Sequence, residues 1–226
     1  MLNASRLDRV LSILEDADLE VLRSALLMVN AAVRHHTELV SDKLREPIVP
    51  LLLNALDGKL ERKVDLGPFK HTIDDGLPLR RDALMVIISV FDASPQKLDL
   101  NRFMPKLVAC LSDTDEIKLQ AYQMICKIRK INQAALIGHL ELFIDPLKKS
   151  ISKFSTKPTD GQAAGPEADR AAELVRSAIK AITAINKIED SQVNRKWTEF
   201  VESLRANPII LAMFGEFETE RSNDLF

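Results

Sequence analysis

Residues 75–86 read DGLPLRRDALMV, and the arrangement of apolar and polar residues in this stretch recurs elsewhere in the chain. The arrangement consists of an apolar residue followed by a polar one, a pair that we call the marker. Further apolar residues follow three and six positions after the polar residue. Apolar residues spaced by four and then three positions form one stripe along an α-helix. The marker occurs as Leu22-Arg23, Leu79-Arg80, Leu119-Gln120 and Val175-Arg176. Eleven of the twelve stripe positions are apolar, with Gln123 as the exception, so the sequence predicts four related helices.

Each of the first three markers is preceded by an acid and followed by a proline at a similar distance. The acids are Asp18, Asp75 and Asp115, and the prolines are Pro50, Pro105 and Pro146. An acid five residues before the marker suits a helix N-terminus, where free amides and the helix dipole favour negative charge. The prolines follow their markers by 27, 25 and 26 residues. We expect each proline in an early turn of a second helix, where its missing N–H costs least. Each unit is therefore a predicted helical hairpin.

The spacing between the markers indicates the class of repeat. Successive markers are 57, 40 and 56 residues apart, and a period of about 40 residues is typical of two-helix repeats of the HEAT type. The two long intervals contain about sixteen further residues each, which the turn-rich segments 61–76 and 153–168 supply. The predicted fold class is all-α: a HEAT-repeat α-solenoid, which is an armadillo-like α-α superhelix, with one inserted β-hairpin.

We expect a single HEAT-repeat array over residues 1–226. Its predicted parts are a partial repeat at 1–15, helical hairpins at 17–58, 78–111, 115–152 and 169–206, and a terminal helix at 208–217. Within the hairpins the predicted helices are 17–35, 43–58, 78–93, 99–111, 115–131, 138–152, 169–188 and 191–206. The insertion at 153–168 is small and polar, which is typical of a flexible surface loop.

The insertion at 61–76 has a different character. Its apolar residues are Val64, Leu66, Phe69 and Ile73, on either side of Gly67-Pro68. Apolar residues around a turn signal predict a short two-stranded ribbon. A ribbon this small is not stable alone, so it either packs back on the solenoid or presents Leu66 and Phe69 to another molecule. The residues by themselves leave these two alternatives equally open.

Composition and charge exclude several classes of function. The chain has 226 residues, 46% of them hydrophobic, and its 31 basic and 33 acidic residues give a net charge of −2. Without a basic excess it cannot neutralise many phosphates, so nucleic acid is not expected as a main ligand. No stretch reaches about 18 uninterrupted apolar residues, so no membrane span is expected.

Residues with reactive or metal-binding side chains are few and scattered. The histidines are His35, His36, His71 and His139, and the cysteines are Cys110 and Cys126. None lies at a spacing typical of a metal site or of a nucleophile with its base. Phosphate-binding loops and nucleophile elbows are also absent from the sequence. We therefore expect no catalytic residues, no metal, no cofactor and no enzymatic activity.

The segment 64–77, which reads VDLGPFKHTIDDGL, resembles the C-terminal region of the cullin-associated, neddylation-dissociated proteins. This family is also described as TATA-binding-protein-interacting proteins of the TIP type. Segments 144–147, 174–179 and 207–214 agree with the family in the same order, so the resemblance covers essentially the whole chain. The first segment is specific, whereas the others alone would be typical of any helical solenoid.

The resemblance implies a partner and a binding element. Family members are long HEAT solenoids that wrap around unneddylated cullin–RING cores, with the C-terminal part on the N-terminal region of the cullin. A projecting β-hairpin there occupies the surface that substrate adaptors use, and the matching element in this chain is the insertion at 61–76. The resemblance thus implies partner-binding residues Val64, Asp65, Leu66, Gly67, Pro68, Phe69, Lys70 and His71.

The implied function is that of an assembly and exchange factor for cullin–RING ubiquitin ligases, located in the cytoplasm and nucleus. The alternative is a generic HEAT scaffold in transcription, through interaction with TATA-binding protein, or in trafficking. Family chains are several times longer and carry an N-terminal arch that has no counterpart here. Two interpretations follow: a fragment, or a short natural chain that acts with a separate N-terminal solenoid chain of the same family.

Overall fold

The computed structural model describes residues 4–13, 18–66, 69–152 and 165–219. The chain divides into two compact units, Met1–Lys106 and Leu107–Phe226. The first contains helices α1 (Ala4–Ile13), α2 (Leu19–His35), α3 (Thr37–Lys43), α4 (Val49–Ala55) and α5 (Leu77–Ala93), strands β1 (Glu61–Leu66) and β2 (Phe69–Asp74), and the start of α6 (Leu100–Cys110). The second contains α7 (Asp115–Ile131), α8 (Gln133–Ile137), α9 (Leu140–Ser152), α10 (Pro166–Asn186), α11 (Glu189–Val193), α12 (Arg195–Arg205) and α13 (Pro208–Thr219).

In the first unit α2 packs along α5 through the predicted apolar stripes. Leu26 and Val29 of α2 are buried, as are Ala83 and Val86 of α5. Burial of apolar side chains is the main favourable term in folding, at about 25 cal/mol per Å² removed from water. Asp18 begins α2 as expected, because its Oδ1 atom accepts hydrogen bonds from the backbone amides of the first turn. The two markers therefore identify the helices that form this core.

In the second unit α7 packs along α10, but the third marker is wrong by two residues. Leu119 and Cys126 are only half-buried and Gln123 is exposed. The buried stripe of α7 begins at the pair Ile117-Lys118 and continues through the buried residues Ala121 and Met124. This stripe has the same spacing of four and then three positions, and the polar Gln123 in the sequence was the sign of the wrong register.

The prediction that each proline lies in an early turn is correct for Pro50 and wrong for the other two. Pro50 is in the first turn of α4, whereas Pro105 and Pro146 lie in the interiors of α6 and α9. The helix α6 begins at Leu100, well before Pro105, and Asp99 Oδ1 accepts hydrogen bonds from the amides of Asn101 and Arg102 in its first turn at 3.0 and 3.4 Å. Each interior proline removes one backbone hydrogen bond from its helix.

Several predicted boundaries also differ from the structure. The helix predicted at 43–58 is divided, because Glu46 before Pro47 has extended φ and ψ of −150° and 126°, which the residue before a proline favours. The helix predicted at 191–206 is likewise two helices, and the Asn194 side chain caps the second by accepting from the amide of Trp197 at 3.0 Å. The predicted flexible loop falls largely on residues 153–164, which lie outside the described residues.

Candidate functional site

The insertion between α4 and α5 forms the predicted β-hairpin. Strands β1 and β2 pair antiparallel, with a register that runs from Glu61 opposite Asp74 to Leu66 opposite Phe69. Of the predicted binding residues, Val64, Asp65 and Leu66 lie in β1, and Phe69, Lys70 and His71 lie in β2. Gly67 and Pro68 fall outside the residues that the structure describes. The hairpin therefore brings six of the eight predicted residues onto one two-stranded sheet.

The register separates the hairpin residues into an apolar and a polar face, because successive strand residues alternate between faces. One face, which we call the apolar face, contains positions Arg62, Val64, Leu66, Phe69, His71 and Ile73. The other, the polar face, contains positions Glu61, Lys63, Asp65, Lys70, Thr72 and Asp74. All four apolar residues that the sequence analysis noted share the first face. Ile73 on that face is 39% exposed, so this end of the hairpin is open to solvent.

The base of the hairpin is held by Arg80 of α5, whose side chain is only 1% exposed. Its Nη2 atom donates to Asp74 Oδ2 at 2.7 Å, and its Nη1 atom donates to the backbone oxygen of Gly58 at 3.0 Å. Gly58 precedes β1 and Asp74 ends β2, so one guanidinium binds the chain on both sides of the hairpin. Hydrogen bonds in which the donor or the acceptor is ionised are roughly twice as strong as neutral ones.

Asp74 completes the connection with its second carboxylate oxygen. Oδ1 accepts from the backbone amides of Leu60 and Gly76, both at 3.0 Å. The hydrogen bond from Arg80 lowers the pKa of Asp74 below its usual value, and partial burial opposes that shift. We call Gly58, Leu60, Asp74, Gly76 and Arg80 the hairpin anchor.

Gly76 is required by the close approach of two backbone segments. A Cβ atom at this position would lie 2.0 Å from the backbone oxygen of Gly58. Only glycine fits this position without moving one of the segments. The turn-forming DDG sequence at 74–76 was visible from the sequence, whereas the contact with Gly58 was not.

We expect the hairpin anchor to weaken in acid. The pKa of Asp in an unfolded chain is about 3.9, and the pKa of Asp74 in the folded chain is lower. Above the unfolded value the carboxylate is ionised in both states and the anchor contributes fully; this contribution is lost as the pH falls through the folded pKa. Thermal denaturation of the wild type and Asp74→Asn measures the effect. The difference in Tm should be constant near neutral pH and shrink below about pH 4; a difference that does not change with pH would contradict the assignment.

Sequence reasoning noticed Arg80 only as the polar residue of a repeat marker. A buried arginine in a regular helical repeat has no sequence signature, because its partners come from residues outside its own helix. Asp74 and Gly76 were noticed as part of the resemblance to a known family, without a structural role. The sequence analysis therefore named Arg80, Asp74 and Gly76 but did not predict that they hold the base of the hairpin.

The second unit offers a different surface, a cavity of about 450 Å³ between α9 and α12. Glu141 Oε2 accepts from Lys196 Nζ at 2.6 Å and Glu141 Oε1 from the Asn194 amide at 3.3 Å, which joins the two helices across it. These contacts lower the pKa of Glu141 and raise the pKa of Lys196. Ile144 and Phe200 contribute apolar lining. The mixture of opposite charges favours no particular ligand.

Features of other functional classes are scarce among the residues that the structure describes. Within them no group of three or more His, Cys, Asp and Glu side chains is placed to hold a metal ion. Cys110 is buried and Cys126 is half-buried, and burial raises the pKa of the Cys126 thiol, which disfavours the reactive thiolate. Among the helices that the structure describes, none combines the length and the apolar character that a membrane crossing needs.

Similarity to solved structures gives the class of protein. A computationally designed armadillo repeat protein for modular peptide recognition matches 91% of this chain and 78% of its own, with 16% identity and a TM-score of 0.54. A second designed armadillo repeat protein, in complex with a (KR)4 peptide, matches 94% and 84%, with 15% identity and a TM-score of 0.55. The fold is an α-solenoid of the HEAT and armadillo class with one inserted β-hairpin, which confirms the predicted fold class.

Sequence comparison gives the family. The TIP120 family model, described as TATA-binding protein interacting (TIP20), matches residues 39–205. The chain therefore belongs to the TIP120 family, and the resemblance stated from segment 64–77 is confirmed.

Named relatives include cullin-associated NEDD8-dissociated protein 1 of Dictyostelium discoideum, which is 34% identical over 220 residues, or 96% of this chain and 17% of the relative. Cullin-associated NEDD8-dissociated protein 2 of Rattus norvegicus is 28% identical over 212 residues, which are 93% of this chain and 16% of the relative. The C-terminal part of protein 1 of Emericella nidulans is 26% identical over 220 residues, or 95% and 20%. The chain thus spans between 16% and 20% of the length of these relatives.

Proposed function

We propose that this chain is a cullin-binding assembly and exchange factor of cullin–RING ubiquitin ligases. In this proposal the solenoid binds the N-terminal region of the cullin in an unneddylated core, and the β-hairpin competes there with substrate adaptors. Membership of the TIP120 family and the names of the relatives support the cullin as partner. The observation that carries the role of the hairpin is its apolar face, on which Ile73, next to the anchored base, is exposed.

Competition follows if the hairpin and the adaptor need the same surface. Each ligand then raises the apparent Kd of the other. The coupling is reciprocal because the same states define it in both directions: the free cullin, the cullin with either ligand, and the cullin with both. The apolar face supplies what such a contact requires, because buried aromatic anchors near the centre of an interface carry much of its binding energy. Phe69 lies at an apolar-face position opposite Leu66.

We expect Phe69→Ala to weaken cullin binding and adaptor displacement by about thirtyfold, since loss of an aromatic anchor costs about 2 kcal/mol. Surface plasmon resonance with an immobilised cullin N-terminal region measures the binding, and a labelled adaptor measures the displacement. Thr72→Ala is the matched control, because Thr72 lies in the same strand on the polar face and is not one of the predicted binding residues. If Phe69→Ala and a chain with residues 62–73 replaced by a short Gly-Ser linker both behave like the wild type, the hairpin assignment is wrong.

The alternative function is a HEAT scaffold in transcription or trafficking that binds through its helices. The description of the family as TATA-binding protein interacting favours a transcription partner. The charged cavity between α9 and α12 provides a helical surface for such a partner. A pull-down with the wild type and the linker-replaced chain separates the two functions. A partner retained equally by both chains supports the scaffold.

We further propose that an N-terminal solenoid segment of the same family, in the same chain or a separate one, packs on α2. Three large apolar residues of α2 are exposed, namely Val21, Leu27 and Met28. The relative named as a C-terminal part supports the separate chain. Size-exclusion chromatography of this chain mixed with such a segment tests the proposal.

The repeat scaffold and the names of the relatives also support a role without enzymatic activity. The proposed location, the cytoplasm and nucleus, is tested by fluorescence microscopy of a tagged chain.

A further inference from the structure

We propose that Arg80 is a positioning residue for the hairpin: from inside α5 it binds both ends of the hairpin and holds it in one orientation before any partner is present. The consequence for adaptor displacement rests on the function proposed above, whereas the ordering of the hairpin by Arg80 does not. In this proposal the solenoid, and not the partner, determines the orientation of the hairpin.

The need for such a residue follows from the size of the hairpin. A two-stranded hairpin is at best marginally stable in water without further packing. The described side chains near its base are open to solvent, with Glu61, Arg62, Lys63, Thr72 and Ile73 all exposed. Cross-strand pairing alone therefore gives little stability, and the contacts at the base decide whether the hairpin is ordered.

The geometry of Arg80 suits this role. Its two terminal nitrogens bind different segments, Gly58 before β1 and Asp74 at the end of β2. Because the guanidinium is planar and rigid, the directions of the two hydrogen bonds are fixed relative to each other. A lysine could carry the charge but could not reproduce this fork.

The anchor is coupled to the core of the first unit. Arg80 is buried within α5, three residues before Ala83 and six before Val86, which pack in the interface with α2. A side chain whose own conformation is fixed by packing holds its partners more closely than one on a loop. The packed helix α5 thus fixes the position of Arg80, and the hydrogen bond from Arg80 to Asp74 fixes the orientation of the hairpin.

Pre-ordering bears directly on binding. A partner that meets an ordered hairpin does not have to pay the conformational entropy of ordering its strands. A hairpin released at its base keeps the same apolar residues but binds more weakly. Arg80 would therefore influence adaptor displacement without touching the cullin.

Hydrogen–deuterium exchange of the full chain, read by mass spectrometry, tests the ordering. The variants are Asp74→Asn and Arg80→Lys. The amide NH2 that Asp74→Asn introduces must face either the donors of Arg80 or the backbone amides of Leu60 and Gly76, so one side of the anchor is lost in either orientation. The control is Asp75→Asn, because Asp75 forms an exposed ion pair with Arg62 and exposed pairs contribute little. We expect exchange of the hydrogen-bonded strand amides to accelerate at least about tenfold in both variants, with α5 unchanged, and to change less than about twofold in the control. Unchanged strand protection in both variants overturns the proposal.

Adaptor displacement by the same proteins tests the consequence. We expect Asp74→Asn to raise the concentration for half-displacement at least about tenfold while the apolar face is intact. If Phe69→Ala impairs displacement but Asp74→Asn, with its strands loosened, does not, the positioning role is overturned and the proposed function stands. If strand protection is lost as expected but neither Phe69→Ala nor the linker-replaced chain affects displacement, the proposed function fails and the ordering role of Arg80 stands.

Discussion

Trp197→Ala is expected to lower the free energy of unfolding of the second unit by about 3–5 kcal/mol. Trp197 is the single tryptophan of the chain and is 0% exposed. Its ring meets Phe200 edge to face with centroids 5.6 Å apart, and its Nε1 atom donates to Asn186 Oδ1 at 3.3 Å. Alanine leaves a large cavity and removes the donor to Asn186, and close-packed interiors collapse only partly around such a cavity.

Urea denaturation followed by circular dichroism measures this change, since the variant has no tryptophan fluorescence. Val193→Ala is the control from the same unit, because Val193 is 84% exposed and exposed substitutions usually change stability by less than about 0.5 kcal/mol. A Trp197→Ala protein with the same denaturation midpoint as the control would show that this side chain is not part of the core.

Gly76→Ala is expected to destabilise the first unit by about 3 kcal/mol, the upper end of the usual cost of overpacking. The added Cβ would lie 2.0 Å from the Gly58 oxygen, and the obstacle is backbone and not a flexible side chain. Relieving the overlap moves Gly76 away from Asp74, and moves Gly58 away from Arg80, so the hydrogen bonds of the anchor weaken together. Thermal denaturation gives the loss of stability, and hydrogen exchange of the strands gives its location.

Gly215→Ala is the matched control, with an expected effect of opposite sign. Gly215 lies inside α13, and a Cβ at this position meets no atom within 4 Å. Alanine in a helix interior is more favourable than glycine by about 0.5–1 kcal/mol, so the control should be slightly more stable than the wild type. If Gly76→Ala were equally well tolerated, the close approach of the two segments would not hold in solution.

Much of the helical framework followed from sequence spacing, because the period of an α-helix is a property of the local backbone. The stripes that begin at Leu79 and Val175 are buried as predicted. The stripe assigned to Leu119 was wrong because α7 has two candidate stripes, and the alternative at Ile117 has the same spacing. Spacing alone could not choose between them, and only the polar Gln123 counted against the stripe from Leu119. The structure shows that the stripe from Ile117 is the buried one.

The candidate site was predictable in location but only partly in structure. Turn residues between apolar ones correctly predicted the hairpin, and alternation in a strand predicts that residues two apart share a face. The pairing register then placed Val64 and Leu66 on the same face as Phe69 and Ile73. That result needed the structure, because a shift of one residue in the pairing would have moved one strand's residues to the other face.

The arginines of the repeat markers differ in burial, which the spacing of residues along the chain does not predict. Arg23, Arg80 and Arg176 occupy the same position of the marker, yet their side chains are 24%, 1% and 52% exposed. Arg23 binds Asp82 of the neighbouring helix, and Arg176 binds the exposed Glu216. Sequence spacing was enough to predict that these residues recur on α-helices, because helical spacing depends only on near neighbours along the chain. The burial of Arg80 depends on the folded chain, because the Asp74 carboxylate that balances its charge and the Gly58 carbonyl that accepts a hydrogen bond from it both come from outside α5.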